Sequence, residues 1–92
     1  MDVIVFIQRD IENDYYKEPQ KPTIIVCADE DSFENKVKEH LEEYFDENEY
    51  NDCGMSKEEF ANTIINELKS YSEMIDPINP STEFIKEYHK IF

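Results

Sequence analysis

The sequence predicts a small α+β domain in which two β-strands are followed by three α-helices. Two short runs of β-branched and aromatic residues lie near the N-terminus, and three segments with apolar residues at three- and four-residue spacing follow them. A chain of 92 residues buries only enough surface for one core. Residues 1–92 are therefore predicted to form a single acidic domain.

The first strand is predicted at about residues 2–8 and the second at about 23–28. Both segments are short and rich in valine and isoleucine, which favours strands over helices. An antiparallel pair is the preferred arrangement. Because both runs are apolar on both faces, the helices must divide between the two faces of the sheet, or a second copy must cover one of them. The sequence thus leaves homodimerisation open.

The first helix is predicted at about residues 31–45. It begins at Asp31, which together with Glu34 resembles a capping box. Its apolar residues recur at helical spacing and are Phe33, Val37, Leu41, Tyr44 and Phe45. Such a helix buries one face and exposes the other.

The second helix is predicted at about residues 56–75, with a capping box that begins at Ser56. Prolines end this segment, and Asn79 or Ser81 is expected to cap a third helix at about residues 81–91. The third helix is inferred from the spacing of Phe84, Ile85, Tyr88, Ile91 and Phe92.

The overall charge excludes several classes of function. The chain has 23 Asp and Glu residues against 9 Lys and Arg residues, a formal net charge of -14. This charge makes direct binding to a phosphate backbone unfavourable. A single glycine also leaves no glycine-rich loop to hold the phosphates of a nucleotide. We therefore expect no direct nucleic-acid binding, no cofactor and no enzyme activity, and we assign no catalytic residue.

Most of the negative charge lies in one segment of the chain. Residues 29–52 contain eleven acidic and two basic residues, a net charge of -9. The acids of the first helix lie opposite its apolar stripe, and like charges four residues apart weaken an isolated helix, so helix stability does not account for them. We predict a partner-binding surface on this helix and the following loop, made of Glu39, Glu42, Glu43, Asp46, Glu47, Glu49, Tyr50 and Asp52.

The second helix provides an internal comparison for this surface. Its outward positions are predicted to be Asn62, Asn66, Lys69 and Glu73. An acidic composition therefore does not place carboxylates on every exposed helix face.

A row of carboxylates can present negative charge to a surface built to hold nucleic acid. The sequence therefore favours an inhibitor that occupies the basic residues of a CRISPR effector, a nuclease or another DNA- or RNA-binding protein. In size and composition the chain resembles phage anti-CRISPR and other anti-defence inhibitors, DNA-mimic proteins and immunity proteins of nuclease toxins. The expected partner is a basic protein, and no membrane is expected to be bound.

Two other non-enzymatic functions are compatible with the sequence. One is a structural or regulatory adaptor that dimerises through its strands and whose charge serves solubility. The other is a calcium-responsive module, because the acidic loop between Asp46 and Glu59 resembles an EF-hand. In the EF-hand register, however, Tyr50 and Cys53 occupy positions that need an oxygen ligand and a glycine. We therefore predict no metal site.

The number of cysteines and the lengths of the apolar runs indicate the cellular compartment in which the protein is expected. Cys27 and Cys53 could form at most one disulfide, fewer than small secreted domains usually have, and with His40 and His89 they lack the close pairing of zinc ligands. No apolar run approaches the ~20 residues of a membrane span, and the N-terminus lacks a signal-peptide pattern. We expect a cytoplasmic protein, in the cytoplasm of the host cell if it is phage-encoded.

Overall fold

The structure, a computed structural model, describes residues 2–11, 21–47 and 54–91, and for residues 46 and 47 it describes the backbone alone. Six elements follow one another along the chain: β1 (Asp2–Asp10), β2 (Thr23–Cys27), α1 (Glu30–Glu47), α2 (Lys57–Ser70), β3 (Glu73–Ile75) and β4 (Thr82–Lys90). The strands form one antiparallel sheet in the order β2-β1-β4-β3.

The prediction of two strands and three helices is wrong, although the protein is a small α+β domain. Four strands and two helices are present among the described residues. β1 and β2 lie close to their predicted positions, and their expected antiparallel pairing is confirmed, with Phe6 opposite Ile25. The errors concern the C-terminal part of the chain, where strands form in place of helix.

The largest difference lies at residues 81–91, which were predicted as a helix and form β4. This strand pairs with β1 along all nine of its residues. Its alternate residues Thr82, Phe84 and Lys86 are buried. Because a lysine occupies a core-facing position, the two-residue alternation of a strand is hidden in the sequence, and the apolar residues match helical spacing instead.

Helix α2 also ends earlier than predicted, at Ser70 rather than near residue 75. Tyr71 adopts an extended conformation with φ -125° and ψ 135°, and β3 follows it. Tyr71 and Ile75 continue the apolar spacing of the helix in the sequence, but both are exposed in the structure. The match to a helical period at these two residues therefore has no structural meaning.

Both helices begin at a side-chain cap. Asp29 Oδ1 accepts a hydrogen bond from the backbone N–H of Ser32 at 2.7 Å. Asp29, and not the predicted Asp31, is thus the cap of α1, which starts one residue earlier than expected. Ser56 Oγ accepts a hydrogen bond from the backbone N–H of Glu59 at 3.1 Å, which confirms the predicted cap of α2.

A polar cluster fixes the turn between β3 and β4. Asp76 is buried, with Oδ1 accepting from the backbone N–H of Ile78 at 2.8 Å and Oδ2 accepting from the hydroxyl of Tyr44 at 3.1 Å. Asn79 and Ser81, expected to cap a helix, lie in this turn, where Asn79 Oδ1 accepts from Ser81 Oγ at 2.6 Å. The buried carboxylate therefore has its hydrogen bonds satisfied.

The core lies between the sheet and the two helices, and its largest fully buried side chains are phenylalanines. Phe6, Phe33, Phe60 and Phe84 are fully buried, one from each of β1, α1, α2 and β4. The ring centroids of Phe6 and Phe84 lie 5.9 Å apart, and those of Phe6 and Phe33 lie 6.3 Å apart. These rings join α1 to the two central strands, and Phe60 joins α2 to α1 through the rings of Tyr44 and Phe45. Neither helix in the described ranges has the length and apolar character needed to cross a bilayer.

The other face of the sheet is not covered by a helix in the described parts of the chain. Side chains alternate along a strand, so residues between the buried positions of each strand point away from the helices. We call this surface the open face. Its apolar residues are Val5, Ile7, Ile24, Val26, Ile75 and Ile85, together with Val3, which is buried although it points to this side. Its charged or titratable residues are Arg9, Glu73, Glu83, Glu87 and His89. The helices thus do not divide between the two faces.

Candidate protein-binding surface

Helix α1 presents acidic residues on the side that points away from the sheet. Its buried stripe is the one predicted from the spacing, Phe33, Val37, Leu41, Tyr44 and Phe45. On the opposite side Glu39 and Glu43 are exposed and Glu42 is half-buried. We call these three residues the acidic face of α1.

The two lysines of α1 turn away from the acidic face. Lys36 extends towards the edge strand β2, where its Nζ donates to the backbone carbonyl of Val26 at 3.4 Å. Lys38 lies on the other flank and lines a groove between α1 and α2 together with Asn66. Both positions follow from the helical period, which places residues 36 and 38 on opposite sides of the outward direction. Although Lys36 is three residues before Glu39 and Lys38 four before Glu42, neither ammonium group forms a salt bridge with the acidic face.

Several other carboxylates form salt bridges, whereas those of the acidic face of α1 do not. Salt bridges in the described residues, at 2.7 to 2.9 Å, join Glu34 to Lys69, Glu83 to Arg9 and Glu30 to Lys86. No Lys, Arg or His of the described ranges lies within salt-bridge distance of the three carboxylates of the acidic face. Their charge is therefore directed towards solvent or towards another molecule.

The structure describes the side chains of three of the eight predicted partner-binding residues. Asp46 and Glu47 belong to the last turn of α1, where the backbone continues the helix. Glu49, Tyr50 and Asp52 lie outside the described residues, as does the central part of the loop that resembles an EF-hand. The described part of the candidate surface is thus the acidic face of α1.

The outward side of α2 has a different chemistry. Asn62, Asn66 and Lys69 are exposed, as predicted, and Lys69 is paired with Glu34. Glu73, predicted on the same helix face, belongs to β3. Glu58 and Glu59 in the first turn of α2, and Glu67, are also exposed. The difference between the two helices therefore concerns the middle of the outward side of α2, where two amides and a paired lysine lie in place of carboxylates.

An ion pair between the buried Lys86 and the exposed Glu30, which no sequence motif indicates, joins β4 to the start of α1. The Lys86 side chain is only 4% exposed, and its Nζ lies 2.9 Å from Glu30 Oε2. The same Nζ lies 4.6 Å from the centroid of the Phe33 ring. The hydroxyl of Tyr88 donates to Glu30 Oε1 at 2.6 Å. The ammonium group is therefore held between a carboxylate and aromatic rings.

The titration of this pair shows what it can do. Burial alone would lower the pKa of Lys86, but its hydrogen bonds with Glu30 and Tyr88 raise that pKa above its usual value. The hydrogen bond from Tyr88 and then that from Lys86 lower the pKa of Glu30. Both groups are thus charged at neutral pH, and a protonated amine is not a nucleophile. The pair is therefore an ionic connection between α1 and β4.

The cysteine and histidine side chains of the described residues make local contacts. Burial raises the pKa of the Cys27 thiol, which favours its unreactive protonated form. His40 Nε2 lies 2.7 Å from Gln8 Oε1, and His89 Nε2 lies 2.9 Å from Glu87 Oε2. Within the described ranges no three His, Cys, Asp or Glu side chains are grouped to hold a metal ion.

No protein-family model, curated protein or solved structure matches the chain. A function therefore has to follow from what the surfaces of the molecule can bind. The acidic face of α1 suits a basic protein, whereas the open face of the sheet suits another apolar surface.

Proposed function

We propose that the protein is an acidic inhibitor that occupies the nucleic-acid-binding surface of a CRISPR effector, a nuclease or another DNA- or RNA-binding protein. One observation supports this most directly. The three carboxylates of the acidic face of α1 have no ion-pair partner in the described residues, while both lysines of the same helix extend to its flanks. The acidic face can therefore pair with the bases of another protein.

The carboxylates of the acidic face are close enough to act together. Glu39 and Glu43 are separated by about 6 Å along the helix axis, at a rise of about 1.5 Å per residue. Glu42 lies about 4.5 Å beyond Glu39 on the same axis, and its direction differs from that of Glu43 by about 100°. The three residues thus form a cluster of negative charge. A cluster of Lys and Arg side chains that normally holds phosphates could pair with it.

Inhibition would follow from occupancy and would need no reaction. Charge attraction accelerates the encounter of an acidic surface with a basic cleft. Once carboxylates are paired with the Lys and Arg residues of the cleft, a phosphate backbone cannot reach them. The proposal includes Asp46, Glu47, Glu49, Tyr50 and Asp52 as an extension of the contact beyond the acidic face. Inhibitor and nucleic acid should then compete, one inhibitor for each binding site.

Two triple variants test the role of the acidic face. E39Q/E42Q/E43Q removes its three charges, and D2N/E58Q/E67Q removes three charges from exposed residues that form no salt bridge within the described ranges. Proteins retained by the tagged wild type from a host extract are identified by mass spectrometry. A nucleic-acid-binding protein should be retained by the wild type and by the control variant. Its affinity for E39Q/E42Q/E43Q should fall roughly tenfold or more.

Salt and nucleic acid provide the second part of this test. The screening length falls from about 10 Å at 0.1 M ionic strength to about 3 Å at 1 M, so the association rate should fall steeply as salt is added. Added DNA or RNA should displace the inhibitor. Equal losses in both triple variants would show that net charge alone matters. Simultaneous binding of nucleic acid without mutual weakening would contradict occlusion.

A second candidate function, a structural or regulatory adaptor, is favoured by the open face of the sheet. Ile24 and Val26 on this face are 57% and 52% exposed. Contiguous apolar surface of this kind often marks an interaction site. In an adaptor the charge serves solubility, so both triple variants should retain the partner. Replacement of Ile24 and Val26 by threonine should release it.

A further inference from the structure

We propose that the open face of the sheet binds a second copy of this chain, so that two sheets pack face to face in a dimer. The proposal concerns a surface other than the acidic face of α1 and does not depend on the inhibitory function. Three properties of the open face support it: the continuity of its apolar residues, its area and its low charge.

The apolar residues of the open face form a continuous block across three strands. Ile7 on β1 lies opposite Ile24 on β2 and Ile85 on β4, so one row of isoleucines crosses the sheet. Val5 lies opposite Val26 in a neighbouring row. Side chains in such rows are in lateral contact. A second sheet could therefore pack on a single apolar surface.

The area of the open face is that of a weak interface. β1 and β4 each contain nine residues, β2 five and β3 three. At ~3.3 Å per residue and ~4.8 Å per strand, the face covers about 400 Å² per copy, or about 800 Å² in a face-to-face dimer. Interfaces below about 1,200 Å² are weak or transient. The dimer should therefore be weak, with its population set by protein concentration.

The charge of the chain is distributed so that two copies can approach through this face. The open face has three carboxylates, Glu73, Glu83 and Glu87, against one guanidinium, Arg9. With histidine neutral this leaves two negative charges of the chain's net -14. Arg9 is also paired with Glu83 at 2.7 Å. Two copies of this acidic chain that approach through the open face therefore repel each other only weakly.

The position of the helices reinforces this point. In a face-to-face dimer the order of layers is helix, sheet, sheet and helix. With about 10 Å between the sheets and about 10 Å for each helix layer, the two copies of α1 would be roughly 30 Å apart. The screening length at physiological ionic strength is about 8 Å. The acidic faces of α1 would thus scarcely repel each other, and both would stay free for a basic partner.

The test is the mass of the full chain in solution, measured by sedimentation equilibrium over a concentration series at about 0.1 M and about 1 M salt. The mass should rise with concentration from that of one chain to that of two. Dimerisation should be stronger at the higher salt, because apolar packing persists while the remaining repulsion is screened. This is the opposite of the salt dependence expected for binding through the acidic face of α1. A single-chain mass at every concentration and both salts would overturn the proposal.

Substitutions on the open face identify the contact. I85T acts on a central strand, and I24T/V26T acts on the edge strand β2, with threonine chosen because it keeps strand propensity and charge. Y71T serves as the control, since Tyr71 is exposed at the end of α2 and outside the strands. Circular dichroism verifies that each variant is folded. Both open-face variants should raise the dimer dissociation constant roughly tenfold or more, and Y71T should leave it unchanged. Weakening by I24T/V26T without weakening by I85T would indicate pairing of β2 edges and would overturn face-to-face packing.

Discussion

The two faces of the sheet bury apolar residues to very different extents. Under the helices, Phe6 and Phe84 are fully buried, whereas Ile24 and Val26 on the open face are more than half exposed. The strands themselves do not cause this difference, since both faces are rich in apolar residues. The difference arises because the chain folds into two helices over one face and uses the remaining C-terminal residues to widen the sheet. An apolar strand sequence thus shows which residues can be buried, and the number of helices determines which of them are.

Charged residues also behave differently on the two faces. Under the helices, the Lys86 side chain is almost fully buried and paired with Glu30. On the open face, the Arg9 side chain is 53% exposed and paired with Glu83. When an exposed ion pair breaks, water hydrates both charges. A buried ammonium group that loses its partner is poorly hydrated. The pairs have similar geometry, and the free energy each contributes should depend on the face on which it lies.

The largest expected effect compares two neighbouring residues of β4 that point to opposite faces. Phe84→Ala should reduce the free energy of unfolding by about 3 to 5 kcal/mol, because it removes a fully buried ring that packs on Phe6. Ile85→Ala should cost about 1 kcal/mol, because Ile85 is only half-buried. Denaturant unfolding at low protein concentration measures both values. Equal losses would show that the open face is packed in the single chain.

The parts of the fold that sequence analysis predicts are those set by local patterns. β1, β2 and α1 have runs or periods that involve only neighbouring residues, and the acidic face of α1 follows from the helical period alone. β4 could not be predicted in this way, because Lys86 faces the core while Ile85 faces away from it. β3 contains only three residues, too few to show a period. The Glu30 and Lys86 pair joins residues 56 positions apart, and their contact depends on how α1 lies on the sheet.

The second prediction concerns this pair, in which Lys86 is buried and Glu30 is half-exposed, and it is asymmetric. Glu30→Gln leaves the Lys86 ammonium buried without its carboxylate, which should reduce the free energy of unfolding by about 1 to 3 kcal/mol. Lys86→Met keeps an apolar chain against Phe33, and the half-exposed Glu30 can return to water, so this change should cost less, about 1 kcal/mol. Thermal or denaturant unfolding of both variants measures the difference. A larger loss for Lys86→Met would contradict this account.

The pH dependence of the same variants provides a further measurement. The pKa of Glu30 is lowered in the folded protein, so its contribution is present above the usual glutamate pKa of about 4.3 and is lost as pH falls through the lowered value. The pKa of Lys86 is raised, so its contribution is present below about 10.4 and is lost as pH rises through the raised value. The stability difference between wild type and Glu30→Gln should therefore be constant near neutral pH and should narrow in acid. A difference that persists unchanged in acid would mean that the carboxylate charge is not the cause.

The smallest expected effect is that of the exposed pair on the open face. A double-mutant cycle with Arg9→Met and Glu83→Gln should give a coupling of about 0.2 to 1 kcal/mol, and about 1 M salt should reduce it, because the Arg9 side chain is half in solvent. Both single variants and the double variant are measured at a concentration at which the chain is monomeric, so that a contact between copies does not enter the cycle. The matching cycle with Glu30→Gln and Lys86→Met should give a larger coupling that responds less to salt, since the Lys86 ammonium is shielded by aromatic rings. If the two couplings were equal in size and in salt response, burial under the helices would not be what separates the two faces. A larger, salt-insensitive coupling for the buried pair would instead attribute the difference to the layer of helices.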